Sequence, residues 1–319
     1  MDLADFGSDR PPTGGAVHGA LKEASITPSS SLPEAVGSLQ QYARLGATEF
    51  LPIGRTAKKL PPGVYRIHET SQGIVYERMP ILTDGLLRFP DSLAENVLAE
   101  IDSFWSKANA FKTYGYLHRR GYLLYGPAGS GKTCLVQLIV SDIVSRDGVV
   151  FVAGCCHPAR LSNALTRFRE VEAQRPIICL FEDIDATIRE YGEQEILSIL
   201  DGENQIDRTI SLATTNFPEL LPKRIVARPR RFDRIIKIGF PPTEHRRIYF
   251  EQKLKISADE VEAWVAVSDG WSFAACAELV IGVKCLGNPF DETVEKLNTL
   301  QAGKFSSGDF SQPAGFAHQ

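Results

Sequence analysis

A short acidic stretch directly follows an apolar run near the middle of the chain. In LFEDID, residues 180–185, the carboxylates of Glu182, Asp183 and Asp185 come directly after the run IICLF. A short apolar run of this kind indicates a buried strand, so the acids lie where the strand ends. Carboxylates in such a place form either a solvated turn or a site that holds a metal ion and positions water. The stretch alone does not decide between the two.

A glycine-rich stretch upstream offers a partner for these acids. GPAGSGKT, residues 126–133, satisfies the pattern GxxxxGK[ST], follows the apolar run YLLY and opens a helical pattern. Glycines let backbone N–H groups curl around a β-phosphate, and the helix N-terminus adds partial positive charge. Lys132 is expected to reach the β- and γ-phosphates of ATP, and Thr133 to bind Mg²⁺. The residues expected to contact the nucleotide are Gly126, Pro127, Ala128, Gly129, Ser130, Gly131, Lys132, Thr133 and Cys134.

This loop gives LFEDID a chemical meaning. In P-loop proteins a second apolar strand ends beside the loop in an acid of the Mg²⁺ shell, and a neighbouring acid can orient the attacking water. Glu182 is placed for the first role, with Thr133 as its fellow metal ligand, and Asp183 for the second. Asp185 is expected to cap the helix that follows. A solvated turn between strand and helix is the alternative.

The surrounding pattern predicts an α/β fold. Short apolar runs alternate with helical patterns, which is typical of a parallel sheet covered by helices on both faces. A stripe of apolar residues at helical spacing predicts one long helix over 93–111, with Ser92 and Glu95 as a capping box at its start. The predicted strands are 122–125, 149–153, 177–181, 209–215 and 235–240.

Composition and turn signals suggest five segments. Residues 1–44 and 305–319 are rich in small and polar residues and are expected to be disordered. Residues 45–89 carry short β-prone runs separated by turn signals, which predicts a small β-rich domain. Residues 90–241 are expected to form the nucleotide-binding domain. Residues 242–304 read as helical throughout and predict a lid, with a capping box in SADEVEAWVAVS.

Composition also limits the partners. A formal charge of −4 provides no global positive field for nucleic acid or an anionic membrane. No apolar run approaches the roughly 20 residues needed to cross a bilayer, and the N-terminus does not resemble a secretory signal. None of the six cysteines forms CxxC, and the CCH run at 155–157 has no second ligand pair at usable spacing. We therefore expect a cytoplasmic protein with ordinary reduced thiols and no membrane contact.

Five stretches together carry a family resemblance. With them, the chain from about residue 90 to 300 resembles the AAA ATPases, in the branch that includes the mitochondrial AAA chaperone translocating the Rieske iron–sulfur protein. Most AAA proteins end the acidic strand in Asp-Glu, whereas that branch, like this chain, has Glu-Asp. The resemblance implies a P-loop AAA core with a parallel five-stranded sheet, a C-terminal helical lid and a small β-rich N-terminal domain. The stretches are HRRGYLLYGPAGSGKT (118–133), IICLFEDIDA (177–186), ILSILDG (196–202), ATTNFPELL (213–221) and ARPRRFDRIIKIGFP (227–241).

The resemblance also implies roles for residues outside the loop. Asn216 matches the sensor that hydrogen-bonds the γ-phosphate or the attacking water. Arg228 and Arg231 match two arginine fingers, which reach the nucleotide of the neighbouring subunit and stabilise charge on the departing γ-phosphate. Tyr114 and Gly115 lie where the family's backbone frames adenine.

Some features of the family match and others differ. GWSFAACAEL, residues 270–279, matches the lid segment that contacts nucleotide in place of a sensor arginine. Arg230 stands where the family usually has Gly, a change that can disturb the turn placing the fingers. The loop at 154–160 lacks the aromatic residue with which many AAA unfoldases thread substrate, and the N-terminal membrane helix of the mitochondrial relative has no counterpart.

The protein is therefore expected to be a ring-forming ATP hydrolase. It would bind ATP with Mg²⁺ and couple ATP hydrolysis to the remodelling or translocation of a protein substrate. The ring is expected to be a homo-hexamer, with a heptamer as the alternative. A second hypothesis is a nucleic-acid motor or loader, for which the basic residues at 223–234 would form the contact patch. A third is an assembly that ATP locks into a scaffold with little turnover.

Overall fold

The computed structural model describes residues 41–44, 50–53, 56–70, 73–80, 89, 93–201 and 206–301. The chain divides into two compact units, residues 1–57 and 58–319. In the first unit, strands β1 (Gln41–Arg44) and β2 (Phe50–Ile53) pair antiparallel, so the segment expected to be disordered includes a strand. The rest of that segment, the tail at 305–319 and the capping residue Ser92 lie outside the described residues.

Within the described residues, a seven-stranded sheet runs through the second unit. Its strands are β3 (Gly63–Thr70), β4 (Gly73–Met79), β5 (Arg119–Tyr125), β6 (Val149–Val152), β7 (Ile177–Phe181), β8 (Thr209–Thr215) and β9 (Arg234–Lys237). Their order is β4-β3-β6-β7-β8-β5-β9, and neighbours are parallel except β3 and β4. The five predicted strands form the parallel core, which confirms the predicted fold class.

Helices alternate with these strands and then continue alone after β9. They are α1 (Leu93–Ser106), α2 (Ala108–Thr113), α3 (Lys132–Ser145), α4 (Pro158–Val171), α5 (Ile184–Tyr191), α6 (Glu193–Asp201), α7 (Lys223–Val226), α8 (Thr243–Leu254), α9 (Ala258–Val267), α10 (Phe273–Val280) and α11 (Phe290–Gln301). A π-helical turn, Ile281–Cys285, follows α10 directly.

Helices cover both faces of the sheet, and the central strands β6, β7 and β8 are buried on both sides. On one face, Ile101 of α1 and Ile139 of α3 pack into a buried cluster with the strands. On the other, Leu165 of α4 and Ile196 of α6 do the same. Side chains buried on two faces explain why the strands read as continuous apolar runs rather than as alternating patterns.

The β-rich segment after residue 58 is part of the sheet rather than a domain apart. Strand β3 pairs in parallel with β6, and β4 forms the outer edge. Tyr65 of β3 packs its ring against Phe151 of β6, with ring centroids 6.3 Å apart. Arg175 binds the carbonyl of Leu60 at 2.5 Å from the loop before β7. The sequence predicted the hairpin, but the boundary expected at residue 89 does not separate two cores.

Two further details concern the helices. The helix predicted over 93–111 is interrupted at Lys107, where α1 ends and α2 begins. The lid helices form a core of their own around Phe250, Trp264 and Cys276. Ser257 and Glu260 make the predicted capping box at the start of α9.

None of the helices in the described ranges is both long and apolar enough to span a bilayer.

Candidate functional site

The glycine-rich loop joins β5 to α3 at the carboxyl edge of the sheet. Its backbone must make close approaches that a side chain would block. At Gly126, whose φ is 155°, a Cβ would lie 2.0 Å from the carbonyl oxygen of Ile238. At Gly129, with φ 74°, a Cβ would meet the Ser272 hydroxyl at 2.9 Å. These two positions therefore require glycine.

Lys132 lies at the first position of α3 with its side chain almost fully buried. Its Nζ donates to the carbonyl oxygens of Gly126 at 2.8 Å and Pro127 at 2.9 Å. Burial lowers the pKa of this ammonium, while the charge of Asp183 opposes that shift. The ammonium is thus held at the loop by neutral carbonyls, which phosphate oxygens can replace as stronger acceptors.

Ser130 supplies an observation that the fold alone leaves unexplained. Its side chain is 3% exposed, and its hydroxyl has no hydrogen-bond partner among the described residues. A buried hydroxyl without a partner costs free energy unless a ligand or water satisfies it. The position of this hydroxyl in the loop fits a bound phosphate group.

Strand order brings the acids to the loop. Strands β7, β8 and β5 are neighbours, so residues directly after each strand meet at one edge. Asp183 follows β7, and Asn216, directly after β8, donates from Nδ2 to its carboxylate at 3.4 Å. Asp183 has a left-handed backbone, φ 46°, and its N–H donates to the Thr214 hydroxyl at 3.1 Å. A non-glycine residue held in this conformation is typical of functional sites.

Glu182 and Thr133 offer hard oxygen ligands. The Glu182 side chain is exposed to solvent. Partial desolvation of its carboxyl group raises the pKa of Glu182, and the negative charge of Asp183 raises it further. The Thr133 hydroxyl makes no hydrogen bond to another described residue. The described residues contain no cluster of three or more acidic, His or Cys side chains that could hold a metal. A hydroxyl and a carboxylate nevertheless suit Mg²⁺, which takes its other ligands from phosphates and water.

Asp185 does not cap the helix as expected. Helix α5 begins at Ile184, its N-cap residue is Asp183, and no side chain caps it. The Asp185 carboxylate, 8% exposed, instead accepts a hydrogen bond of 2.6 Å from the Thr215 hydroxyl. Because Thr215 ends β8, this buried bond fixes the strand that carries Asn216 to the helix that follows Asp183.

An apolar cavity of about 230 Å³ lies beside the start of α3. The ring of Phe89 stacks with the ring of His245, at a centroid distance of 4.7 Å, and with the ring of Phe273, at 5.2 Å. Cys134, predicted to contact nucleotide, lines the same cavity. The Phe273 N–H donates to the carbonyl of Gly129 at 3.1 Å, which places the predicted lid segment against the loop. Flat aromatic walls next to a phosphate loop suit a nucleotide base.

Tyr114 and Gly115 are not part of this cavity. They end α2 and precede the amino end of β5, whereas the loop follows the carboxyl end of that strand. Tyr114 is 76% exposed, and the next aromatic, Tyr116, contacts the guanidinium of Arg230 at 5.6 Å. Tyr114 and Gly115 thus lie at the opposite end of β5 from the loop, and their expected contact with adenine stays a prediction.

The two predicted fingers have different surroundings. Arg228 is exposed and makes no hydrogen bond or ion pair with any described residue. Arg231 is 5% exposed, and its guanidinium binds the Asp201 carboxylate and the carbonyl of Arg224 in its own chain. Arg230 adopts φ 73°, the left-handed conformation that explains the family's preference for Gly there.

The loop at 154–160 is short and packed. Residues Ala153–Cys155 form a 3-10 turn, and His157 caps α4 by accepting from the N–H of Ala159 at 3.2 Å. The ring of Tyr191, at the end of α5, lies 5.2 Å from that of His157. An aromatic side chain is therefore present beside the loop although its sequence lacks one.

Several residues at these sites were missed from the sequence. Phe89 and His245 gave no local signal, because they come together only when the lid folds against the sheet domain. Asp201 lies in the stretch ILSILDG (196–202), but nothing in the sequence indicates that its carboxylate binds Arg231.

The chain is similar to several known proteins. Residues 122–240 match the family described as "ATPase family associated with various cellular activities (AAA)". The ATP-dependent zinc metalloprotease FtsH of Haemophilus influenzae is 29% identical over 215 residues, 59% of this chain and 32% of that protein. A proteasome-activating nucleotidase of Saccharolobus islandicus is 31% identical over 194 residues, 53% of this chain and 48% of that protein.

A solved structure described as a crystal structure of the FIGL-1 AAA domain in complex with ADP has a TM-score of 0.49 and 20% identity, covering 71% of this chain and 86% of that chain. The chain spans less than half the length of the two relatives named above. The family match at residues 122–240 covers the loop, the acids and the finger residues.

Proposed function

We propose that this chain, whose residues 122–240 match the AAA family, is an ATP hydrolase that works as a homo-oligomeric ring. The observation that carries the proposal is the convergence at one sheet edge of Lys132, Asp183 and Asn216 with the unsatisfied Ser130 hydroxyl. The sheet core could be stable without that arrangement. A triphosphate would use all four groups.

The reaction we propose is attack of water on the γ-phosphorus, with ADP as the leaving group. Asp183, held by Asn216, orients the water and accepts its proton, while Lys132 binds the β- and γ-phosphate oxygens. Thr133 and Glu182 would hold Mg²⁺, which when bound neutralises charge on the phosphates. The base lies in the cavity beside Phe89, His245 and Phe273.

Charge on the departing phosphoryl group requires a further cation. In the described residues of one chain, Lys132 is the basic side chain at the loop, and Arg228 and Arg231 lie in the segment leading to the amino end of β9. A guanidinium supplied by a neighbouring protomer would complete the site and is worth about 10³–10⁵ in rate in other NTPases. We propose a ring, expected to be hexameric, that provides it.

Remodelling or translocation of a protein is the proposed use of the energy. Two relatives are, by name, a metalloprotease and a proteasome-activating nucleotidase, which supports a protein substrate for this chain. The Glu182–Asp183 order supports membership of the branch that contains the Rieske-protein translocase. The proposed substrate contact is at the loop beside His157 and Tyr191.

The proposal is tested with Asp183→Asn. We expect ATP hydrolysis to fall by roughly 10²–10⁴-fold while nucleotide binding persists, because an amide orients water but accepts no proton. Binding is measured by fluorescence of a labelled ATP and hydrolysis by phosphate release. The variant in ATP is then used to compare retention of an unfolded protein with retention of single-stranded DNA. Unchanged hydrolysis contradicts the role of Asp183, and retention of DNA alone favours the nucleic-acid hypothesis.

A further inference from the structure

We propose that Arg228 alone reaches the neighbouring nucleotide, and that Arg231, anchored by Asp201, is a positioning residue for the segment that carries Arg228. This segment, residues 227–233, is called the finger loop below. The inference rests on the proposed function, since it divides a task between two residues of a ring-forming ATP hydrolase.

Burial keeps Arg231 in its own chain. Its side chain is 5% exposed, and its Nε and Nη1 atoms donate to the Asp201 carboxylate and to the carbonyl of Arg224. To reach a neighbour, this guanidinium would have to break both bonds and leave their acceptors behind. Removing one partner from a buried charged hydrogen bond is strongly unfavourable, so the group is better suited to hold structure than to move.

The remaining bonds of the finger loop fix its backbone to β5. The Arg230 N–H donates to the Asp233 carboxylate at 3.0 Å, and the same carboxylate accepts from the N–H of Gly121 at 3.0 Å. Arg119 donates to the carbonyl of Arg230. A Cβ at Gly121 would lie 1.7 Å from the Arg231 carbonyl oxygen, so the loop lies directly on the strand.

The side chain of Arg231 contacts helices, whereas the other bonds of the finger loop connect it to β5. Its two acceptors lie on two different helices, α6 and α7. Asp201 is the last residue of α6, and Arg224 belongs to α7, whose C-cap residue is Ala227. One planar guanidinium therefore joins two helix ends and sets where the chain leaves α7.

Arg228 follows directly after that point and is free to cross. Its exposed side chain lines an open groove and makes no hydrogen bond or ion pair in the described part of the chain. A finger must exchange water for phosphate without first losing protein bonds, and Arg228 meets this condition while Arg231 does not. The groove is lined by Gln194, Leu197, Ser198, Asp201, Arg224, Arg228 and Arg231.

The test separates the protomer that binds ATP from the one that lends its finger. An acceptor chain with Arg228→Ala retains its nucleotide site, and a donor chain with Lys132→Ala retains its finger loop. Neither is expected to hydrolyse ATP alone. Mixed in equal amounts, they form interfaces where an intact site meets an intact finger, and hydrolysis returns. Arg231→Ala, Asp201→Asn and both together are then added to the donor.

We expect either substitution in the donor to reduce the restored hydrolysis by about 10²-fold, the typical effect of misplacing a catalytic group by about 1 Å. The two together should cost no more than one, because both break the same anchor. Arg231→Lys in the donor should recover part of the activity, since an ammonium keeps one of the two bonds. In the acceptor, whose finger is already absent, Asp201→Asn should leave the restored rate unchanged.

A direct finger would give another result. If Arg231 contacts the phosphate itself, Asp201→Asn in the donor frees it and restored hydrolysis is unchanged or higher, while Arg231→Ala abolishes it. That pattern would overturn the inference. Donor Arg224→Ala is the matched control, because it removes a neighbouring guanidinium but keeps the carbonyl that Arg231 uses, and it should restore hydrolysis fully.

Two measurements keep folding and assembly apart from this result. The unfolding midpoint and the ATP-dependent oligomer size of each donor must match those of the unmodified donor. Asp201→Asn is the substitution expected to disturb folding least. If the unmodified donor restores nothing although the chains co-assemble, the trans mechanism of the proposed function fails and the inference fails with it. If the unmodified donor works and the Asp201 and Arg231 variants work equally, only the inference fails.

Discussion

Arg230 adopts a backbone conformation that glycine adopts without strain, with φ 73°. The cost is tolerated because Asp233 and Arg119 bind the backbone on both sides of the residue, while its guanidinium lies over Tyr116. Glycine at this position would therefore keep the turn. The sequence difference that was expected to disturb the finger loop is accommodated by local hydrogen bonds.

This accommodation can be measured by comparing Arg230→Gly with Arg230→Ala. Both lose the contact with Tyr116, but only alanine keeps the left-handed strain. We expect the glycine variant to have a free energy of unfolding about 1 kcal/mol higher than the alanine variant, from urea denaturation. Equal stabilities would show that the backbone at residue 230 carries no strain.

His118 is a second residue whose environment has a measurable consequence. Its ring is buried beside Phe104, bonds the Phe104 carbonyl oxygen at 2.8 Å, and has no partner for Nδ1 among the described residues. Burial lowers the pKa of this imidazole, while the Phe104 carbonyl and the charge of Asp207 partly oppose the shift and Arg208 adds to it. The neutral form is therefore the form that the folded protein stabilises.

Because the folded pKa lies below the unfolded value, the unfolded chain binds the proton first as pH falls. The contribution of His118 to stability is complete above the ordinary pKa of about 6.5 and is lost as pH falls from there toward the folded pKa. In His118→Gln this loss should disappear, so its stability should depend less on pH between pH 7 and 5, measured by urea unfolding. Identical pH profiles for the two proteins would contradict this account.

At the scale of elements, a buried ion pair helps to attach the β3–β4 hairpin to the rest of the sheet. Arg175 binds Glu172 at 2.7 Å, and both side chains are almost fully buried. The same arginine binds the carbonyl of Leu60, and Glu172 accepts from the N–H of that residue at 2.8 Å. The segment leading into β3 is therefore attached to the loop between α4 and β7.

We expect Arg175→Leu to destabilise the second unit by about 3 kcal/mol, because it leaves the Glu172 carboxylate buried without its charge partner. The hairpin and the sheet should still unfold in one transition when the protein is heated. Thermal denaturation measures this. Arg167→Ala is the matched control, since its pair with Glu170 is exposed on both sides and should contribute less than about 1 kcal/mol. A separate transition for the hairpin would favour the independent domain expected from the sequence.

Some of the secondary-structure elements could be predicted from the sequence, and others could not. The runs that became β7 and β8 could be recognised because strands buried on both faces are apolar throughout, and the acids after β7 could be assigned because parallel strands end at one edge. The partner of β3 could not be found, since hairpin signals are local and the pairing with β6 is not.

At the scale of the whole molecule, the proposed nucleotide site would be complete only when a second copy is present. Lys132 and Asp183 lie at the carboxyl edge of the sheet, while the finger loop lies on the amino end of β5. A strand of this length separates the two by about 3.3 Å per residue, so one chain's Arg228 cannot serve its own site. Catalysis should then follow the concentration of assembled protomers.

We expect the rate of ATP hydrolysis per chain to fall steeply when the protein is diluted at constant ATP, because mass action dissociates the ring. Phosphate release measured over a dilution series, with oligomer size followed by light scattering, tests this directly. Arg228→Ala supplies the comparison. It should still assemble with ATP at high protein concentration, but its low rate of hydrolysis should not change with dilution. A wild-type rate that stays constant after the oligomer has dissociated would show that each chain completes its own site, and the guanidinium would then have to come from within the chain.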